Sequence, residues 1–208
     1  TVTQKGGRII LEGNTIEVTE GSELIATGPK EGGEVLIGGD WQGGANKERR
    51  VFDDPKAVHQ ATKVTVEANT KIDASATDNG DGGTVVVWSD VKNPESVTTV
   101  QGEILAKGGE NGGDGGQIET SGALLVTDGV TGSAAAPQGQ AGEWLFDPYD
   151  VLIIDIGPQR NGGFSAGVWT PNQTPSVVRT SNIVTLIRDG TNVRITTTGN
   201  GADDGNIT

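Results

Sequence analysis

Apolar residues in this chain come in short alternating bursts, each closed by a cluster of Gly, Asn or Asp. One burst has a recurring opening. A Gly-Gly pair leads into an alternating strand at Gly6-Gly7-Arg8-Ile9-Ile10-Leu11 and again at Gly32-Gly33-Glu34-Val35-Leu36-Ile37. It returns at Gly82-Gly83-Thr84-Val85-Val86-Val87-Trp88 and at Gly115-Gly116-Gln117-Ile118-Glu119-Thr120. A degenerate copy follows at Ala141-Gly142-Glu143-Trp144-Leu145-Phe146. The second glycine stands at 7, 33, 83, 116 and 142, a period near 26 that is doubled once and stretched once. Self-similarity at such a period is the signature of a repeat architecture.

Further bursts fill the intervals. Ile16-Glu17-Val18 and Leu24-Ile25-Ala26 precede the second copy, and Val64-Thr65-Val66 and Lys71-Ile72-Asp73-Ala74 the third. Val97 to Val100 and Glu103-Ile104-Leu105-Ala106 precede the fourth. Copies that match at equivalent offsets predict an all-β solenoid, not an antiparallel sandwich, whose strands need not resemble one another. Each strand would stack on its predecessor at about 4.8 Å, so about eight coils of ~25 residues would build a rod of roughly 40 Å. The recurrent glycines are expected at corners, at φ > 0, where a Cβ is costly. Alternation predicts one inward ladder of Val35 and Ile37, Val85 and Val87, Ile118, and Trp144 with Phe146. Val18, Val66, Val100 and Val126 form a second, and Ile25, Ile72 and Ile104 a third.

The pattern divides the chain into repetitive coils over residues 1–150, with a loop excursion over about 38–63, and a less regular continuation over 151–208. The excursion holds Trp41 and Phe52 and most of the local charge. The single helical signal runs from Ser181 to Gly190: Ser181 suits an N-cap, Ile183, Leu186 and Ile187 share a face, and Gly190 suits the end. It predicts a helix of one or two turns.

Composition sharpens this picture. Glycine accounts for 34 of 208 residues and hydrophobic residues for only 33%, against an ordinary glycine content of about 7%. A thin, repetitive core fits those values, and the β-branched alternation argues against disorder. The net charge of −13, with no basic cluster beyond Lys47, Arg49 and Arg50, argues against nucleic-acid binding. No cysteine is present, which excludes disulfides, thiol catalysis and Cys-type zinc sites. It also suits a chain that threads a membrane unfolded. No methionine is present either, so Thr1 is read as lying inside a longer or processed chain, with any targeting signal elsewhere. No apolar run approaches the ~20 residues of a membrane span.

An ordered set of words then carries a family resemblance. They are Gly32 to Gly43 (GGEVLIGGDWQG), Ile72-Asp73-Ala74-Ser75-Ala76, Gly82 to Asp90 (GGTVVVWSD), Gly112 to Gly122 (GGDGGQIETSG) and Glu143 to Val151 (EWLFDPYDV). In this order, over residues ~30 to 155, the chain resembles the large exoproteins of bacterial two-partner secretion, the filamentous haemagglutinin and high-molecular-weight adhesin group. The resemblance implies a right-handed parallel β-helix and an internal segment of a large secreted exoprotein. It also implies export through an outer-membrane partner pore, display on the bacterial cell surface or release, and attachment to host cells, matrix or glycans. The family's amino-terminal secretion domain is not matched here, which places export recognition upstream. The matching words are turn and core words, so no catalytic, cofactor-binding or metal-binding residue is carried over. The function expected is structural and adhesive, not enzymatic.

The alternative is an extracellular β-helix that binds or cleaves polysaccharide. Such chemistry needs carboxylates, often with a base, on one outer face, and Asp40, Asp53, Asp54 and His59 in or beside the excursion are its candidates. Asp78, Asn79 and Asp81, Asp114, and Asp203 with Asp204 offer oxygen ligands for calcium in Gly-rich turns, but no GGxGxDxUx nonapeptide is completed. Such residues commonly support the turn backbone instead. Of the tryptophans, Trp88 and Trp144 are expected to fill or cap the core, and Trp41 and Trp169 to be the better candidates for exposed sugar contact.

Overall fold

A computed structural model of the chain describes residues 4–44, 57–154, 162–165, 168–171 and 176–197. Strands dominate, and they come in rounds of three. The first round is β1 (Arg8–Leu11), β2 (Thr15–Val18) and β3 (Glu23–Ile25); the second is β4 (Glu34–Ile37), β5 (Lys63–Val66) and β6 (Lys71–Asp73). The third is β7 (Thr84–Trp88), β8 (Val97–Val100) and β9 (Glu103–Leu105). The fourth is β10 (Gln117–Gly122), β11 (Leu124–Val126) and β12 (Thr131–Ser133). Then come β13 (Glu143–Pro148), β14 (Val151–Ile154), a hairpin of β15 (Gly162–Ser165) and β16 (Val168–Pro171), β17 (Ser176–Arg179), α1 (Thr180–Arg188) and β18 (Asn192–Ile195).

Three parallel sheets result. Sheet one is ordered β1-β4-β7-β10-β13-β18, sheet two β14-β17-β11-β8-β5-β2, and sheet three β12-β9-β6-β3. The β15–β16 hairpin pairs antiparallel. Every strand in the four rounds pairs with the strand of the same rank in the neighbouring round. Among the described residues the sheets are six, six and four strands deep, fewer than the eight coils expected.

The Gly-Gly motif has a steric cause that differs from the expected one. Neither glycine of any copy has positive φ. A Cβ on Gly33, Gly83, Gly116 or Gly142 would instead lie about 2 Å from the carbonyl oxygen of Gly7, Gly33, Gly83 or Gly116, the same position one round earlier. The N–H groups of these four glycines donate to the carbonyls of Ala26, Ala74, Ala106 and Ala134 at 2.7–2.8 Å. Successive rounds touch here backbone to backbone, and only glycine leaves room for it.

The first inward ladder lies as alternation predicts: Val35, Val85, Ile118 and Trp144 are register neighbours, as are Ile37 and Val87. The other two need correction. In sheet three Leu24, not Ile25, pairs with Ile72 and then Ile104, and Ile25 is 44% exposed. In sheet two Val126 pairs with Thr99, one residue out of step with Val100, and the inward residue of β11 is Leu125. Matching by residue type missed both, because the pleat sets which neighbour points inward and a one-residue slip reverses it. Residues of all three sheets share one apolar core, in which Trp144 stacks on Phe146 with ring centroids 5.2 Å apart.

The helix spans nine residues, about half a turn beyond the expected length. Its N-cap is Arg179, with no side-chain cap, so Ser181 does not cap it. Gly190 ends it at φ +81: its N–H donates to the Ile187 carbonyl and that of Thr191 to the Leu186 carbonyl, a Schellman pattern. Leu186 alone of the expected face is buried; Ile187 is 58% exposed. The helix packs against β12, β17 and β18 and so covers the outermost strand of sheet three.

Candidate functional site

The middle of sheet one is buried on both faces. All residues of β4, β7 and β10 are buried, as parallel strands covered on two sides require. Its inner face joins the main core. On its outer face Leu36, Val86, Trp88 and Leu145 form a second apolar cluster with Trp41 and Val91.

Among the described residues, the start of the excursion, Gly38 to Gly44, forms a strap laid over Trp88, and Val58 on the returning segment packs against the same cluster. A Cβ on Gly39 would fall 2.2 Å from the Trp88 ring, and one on Gly43 2.9 Å from it. The strap turns through left-handed backbone at Gly38, Gln42, Gly43 and Gly44, and Gln42 (φ 48°) does so without glycine's freedom. Gln60, on the returning segment, accepts from Trp88 Nε1 at 3.3 Å and donates to the Gly43 carbonyl at 3.4 Å. Ala61 N–H donates to the Gly38 carbonyl at 2.7 Å and closes the excursion.

Beneath the strap lies Glu119, wholly buried. Its strand neighbours are Val86 and Leu145. Gln42 N–H donates to its Oε2 at 2.7 Å and Ser121 Oγ to its Oε1 at 2.9 Å. Burial raises its pKa to about 8, opposed by those two hydrogen bonds; Asp147 raises it further and Arg194 lowers it. Burial in this place favours the neutral acid over the carboxylate. Asp147 lies opposite Ser121 on β13, and its Oδ1 accepts from Thr196 Oγ1 at 2.7 Å. Arg194 pairs with Glu143 at 3.0 Å. Trp41 Nε1, Thr84 Oγ1 and Gln117 Oε1 are buried on this side with no hydrogen-bond partner, each a desolvation cost left standing.

The residues proposed from sequence do not assemble here. Asp53 and Asp54 lie outside the described residues, as do Asp203 and Asp204. Asp40 accepts from Trp41 N–H at 2.7 Å. His59 is exposed and hydrogen-bonds Asn14 at 2.8 Å. Trp41, one of the two better candidates for exposed contact, is buried, and the Trp169 side chain lies outside the described residues. Trp88 and Trp144 are not equivalent: Trp144 takes the register of Val85 and points inward, whereas Trp88 takes that of Ser121 and points outward.

Two of the turn acids bind backbone and the third binds a neighbouring side chain. Asp81 Oδ1 accepts from Asp114 N–H, Asp114 Oδ1 from Gln140 N–H, and Asp78 Oδ1 from Asn111 Nδ2, each at 2.8 Å. No group of three acidic or histidine side chains able to hold a metal occurs among the described residues, and no helix there is long and apolar enough to cross a membrane. Sequence reasoning missed Glu119. Its one signal is an acid where the register puts Val86 and Leu145, and a strand written Gln-Ile-Glu-Thr-Ser looks like one with a wet outer face.

No protein-family model matches the chain, and no curated protein matches it.

Proposed function

We propose that this chain is a rigid structural segment of a large secreted bacterial surface exoprotein, of the filamentous haemagglutinin kind, that spaces and presents a surface for attachment. The observation that carries the reading is the return of every third strand to the same sheet, in register, with the same glycine contact. A chain that does this is winding: three sheets form the sides of one parallel β-helix. The near-universal right-handedness of parallel crossovers supports that hand. Sheet one, six strands deep, then stands about 24 Å tall. Backbone groups between rounds are paired and no disulfide is needed, which suits a stiff rod exported unfolded. The ordered motif words over residues ~30 to 155 support the family.

The rival, a polysaccharide-cleaving β-helix, has its best acid in Glu119, next to Asp147. With the strap closed, that acid is buried out of reach of a sugar. Two assays on the whole chain decide. Beads coated with it are expected to attach to host cells or matrix above blank beads, while polysaccharides incubated with it release no new chain ends. Depolymerisation overturns the reading in favour of an enzyme, and beads that never attach overturn its adhesive half.

A further inference from the structure

We infer that the strap Gly38–Gly44 is a proton-coupled latch: it lies closed on the outer face of sheet one while Glu119 holds its proton, and opens as that proton is lost. The geometry gives the latch its parts. Glu119 presents a carboxyl to an apolar cluster, and the strap reaches it through a single main-chain N–H, that of Gln42. An ionised carboxylate in that place is surrounded by Leu145, Val86 and the two tryptophans, with only two donors to hold it. Opening the strap returns it to water.

The charged groups around Glu119 do not remove this bias. Asp147 on β13 opposes its ionisation, and Arg194 on β18, which favours it, is already paired with Glu143. On the strap, the Asp40 carboxylate bonds the Trp41 amide, and on the returning segment His59 is exposed and bonded to Asn14. Closure is also costly in two other ways. Gln42 holds left-handed backbone, and on the strap itself Trp41 Nε1 is buried without a partner. Opening relieves both costs, so a change of one proton is enough to shift the balance. What opening uncovers is the apolar surface of Trp88 with Leu36, Val86 and Leu145.

The inference stands on the strap and not on the adhesive role, and its test has a separate readout. With one proton released on opening, the open population rises about tenfold per pH unit between the acid's pKa in the open strap and in the closed one. Hydrogen exchange of the Gln42 amide, expressed as a protection factor that removes the intrinsic pH dependence, reads this directly. Across pH 5 to 8 the wild-type protection factor is expected to fall about tenfold per unit. In Glu119→Gln, which keeps the shape and cannot ionise, it stays flat. Equal slopes in the two proteins, or a flat wild-type profile, overturn the latch. If Glu119→Gln does not fold, the wild-type slope together with a carbon-13 titration of the Glu119 carboxyl decides: a midpoint at the ordinary glutamate value in a closed strap overturns it.

Discussion

Ile118 and Glu119 are consecutive residues of one strand, and they open onto different regions. Ile118 looks into the shared core, where its register neighbours are Val85 and Trp144. Glu119 looks outward, between Val86 and Leu145, at a strap that occurs once among the described residues. Both are fully buried, yet burial has different origins. Inside, each round meets the same two partner sheets, so the same residue types answer the same surroundings. Outside, sheet one is covered by a segment with no counterpart in the other rounds, and the residues beneath it follow no ladder.

The largest test of this difference is a charge placed on each side. Ile118→Asp puts an unpaired carboxylate in the main core and is expected to cost more than about 4 kcal/mol, abolishing the cooperative urea transition. Glu119 tolerates the same chemistry one residue away only because it stays protonated. A cooperative, little-shifted transition in Ile118→Asp would show that the inner face is not the dry core described here.

Next in size is the stacking contact. Gly83→Ala sets a Cβ 1.9 Å from the Gly33 carbonyl oxygen and is expected to cost about 3 kcal/mol. Gly7→Ala, the same letter of the same motif, meets nothing within 4 Å and should stay within about 0.5 kcal/mol. Urea midpoints of the two variants compare a position with a round beneath it and one without. Equal losses would mean that the motif glycines serve local turns after all.

This is where the sequence was legible and where it was not. The Gly-Gly period and the Val35–Val85–Ile118–Trp144 ladder were readable because stacking repeats its demands at every round. Ile25 and Val126 were set inward where Leu24 and Leu125 belong: at the ends of short strands either neighbour can face the core, and only the pairing with Ile72 or Thr98 decides. The strap site was almost illegible. Trp41 and Glu119 are 78 residues apart in the numbering, and nothing periodic links a one-off loop to the strand it covers. Asp40 and His59, chosen for chemistry in that loop, turned out to hold backbone and a surface asparagine.

Third comes the outer acid. Glu119 has a folded pKa of about 8 against an ordinary 4.5, so the folded state holds a proton that the unfolded state loses. Its contribution is therefore fully present below about pH 4.5 and is lost progressively as the pH rises to about 8. Glu119→Leu removes the dependence. It should match the wild type near pH 4.5 and exceed it by about 2–4 kcal/mol at pH 8.5, read from urea unfolding at both values. A constant difference across that range would show that Glu119 ionises in place without penalty.

The smallest expected effect separates the two tryptophans that the sequence set side by side. Trp144→Phe trims the main core and leaves Thr120 Oγ1, 3.2 Å from the lost indole nitrogen, without that donor; about 2 kcal/mol of global stability should go with it. Trp88→Phe loses a 3.3 Å bond to Gln60 and part of the surface on which Gly39 and Gly43 lie, worth about 1 kcal/mol. That loss belongs to the strap alone. The Gln42 amide should exchange about fivefold faster at fixed pH while the urea midpoint scarcely moves. A drop in the midpoint as large as that of Trp144→Phe would mean that the outer cluster unfolds only with the core, and that the strap has no opening of its own.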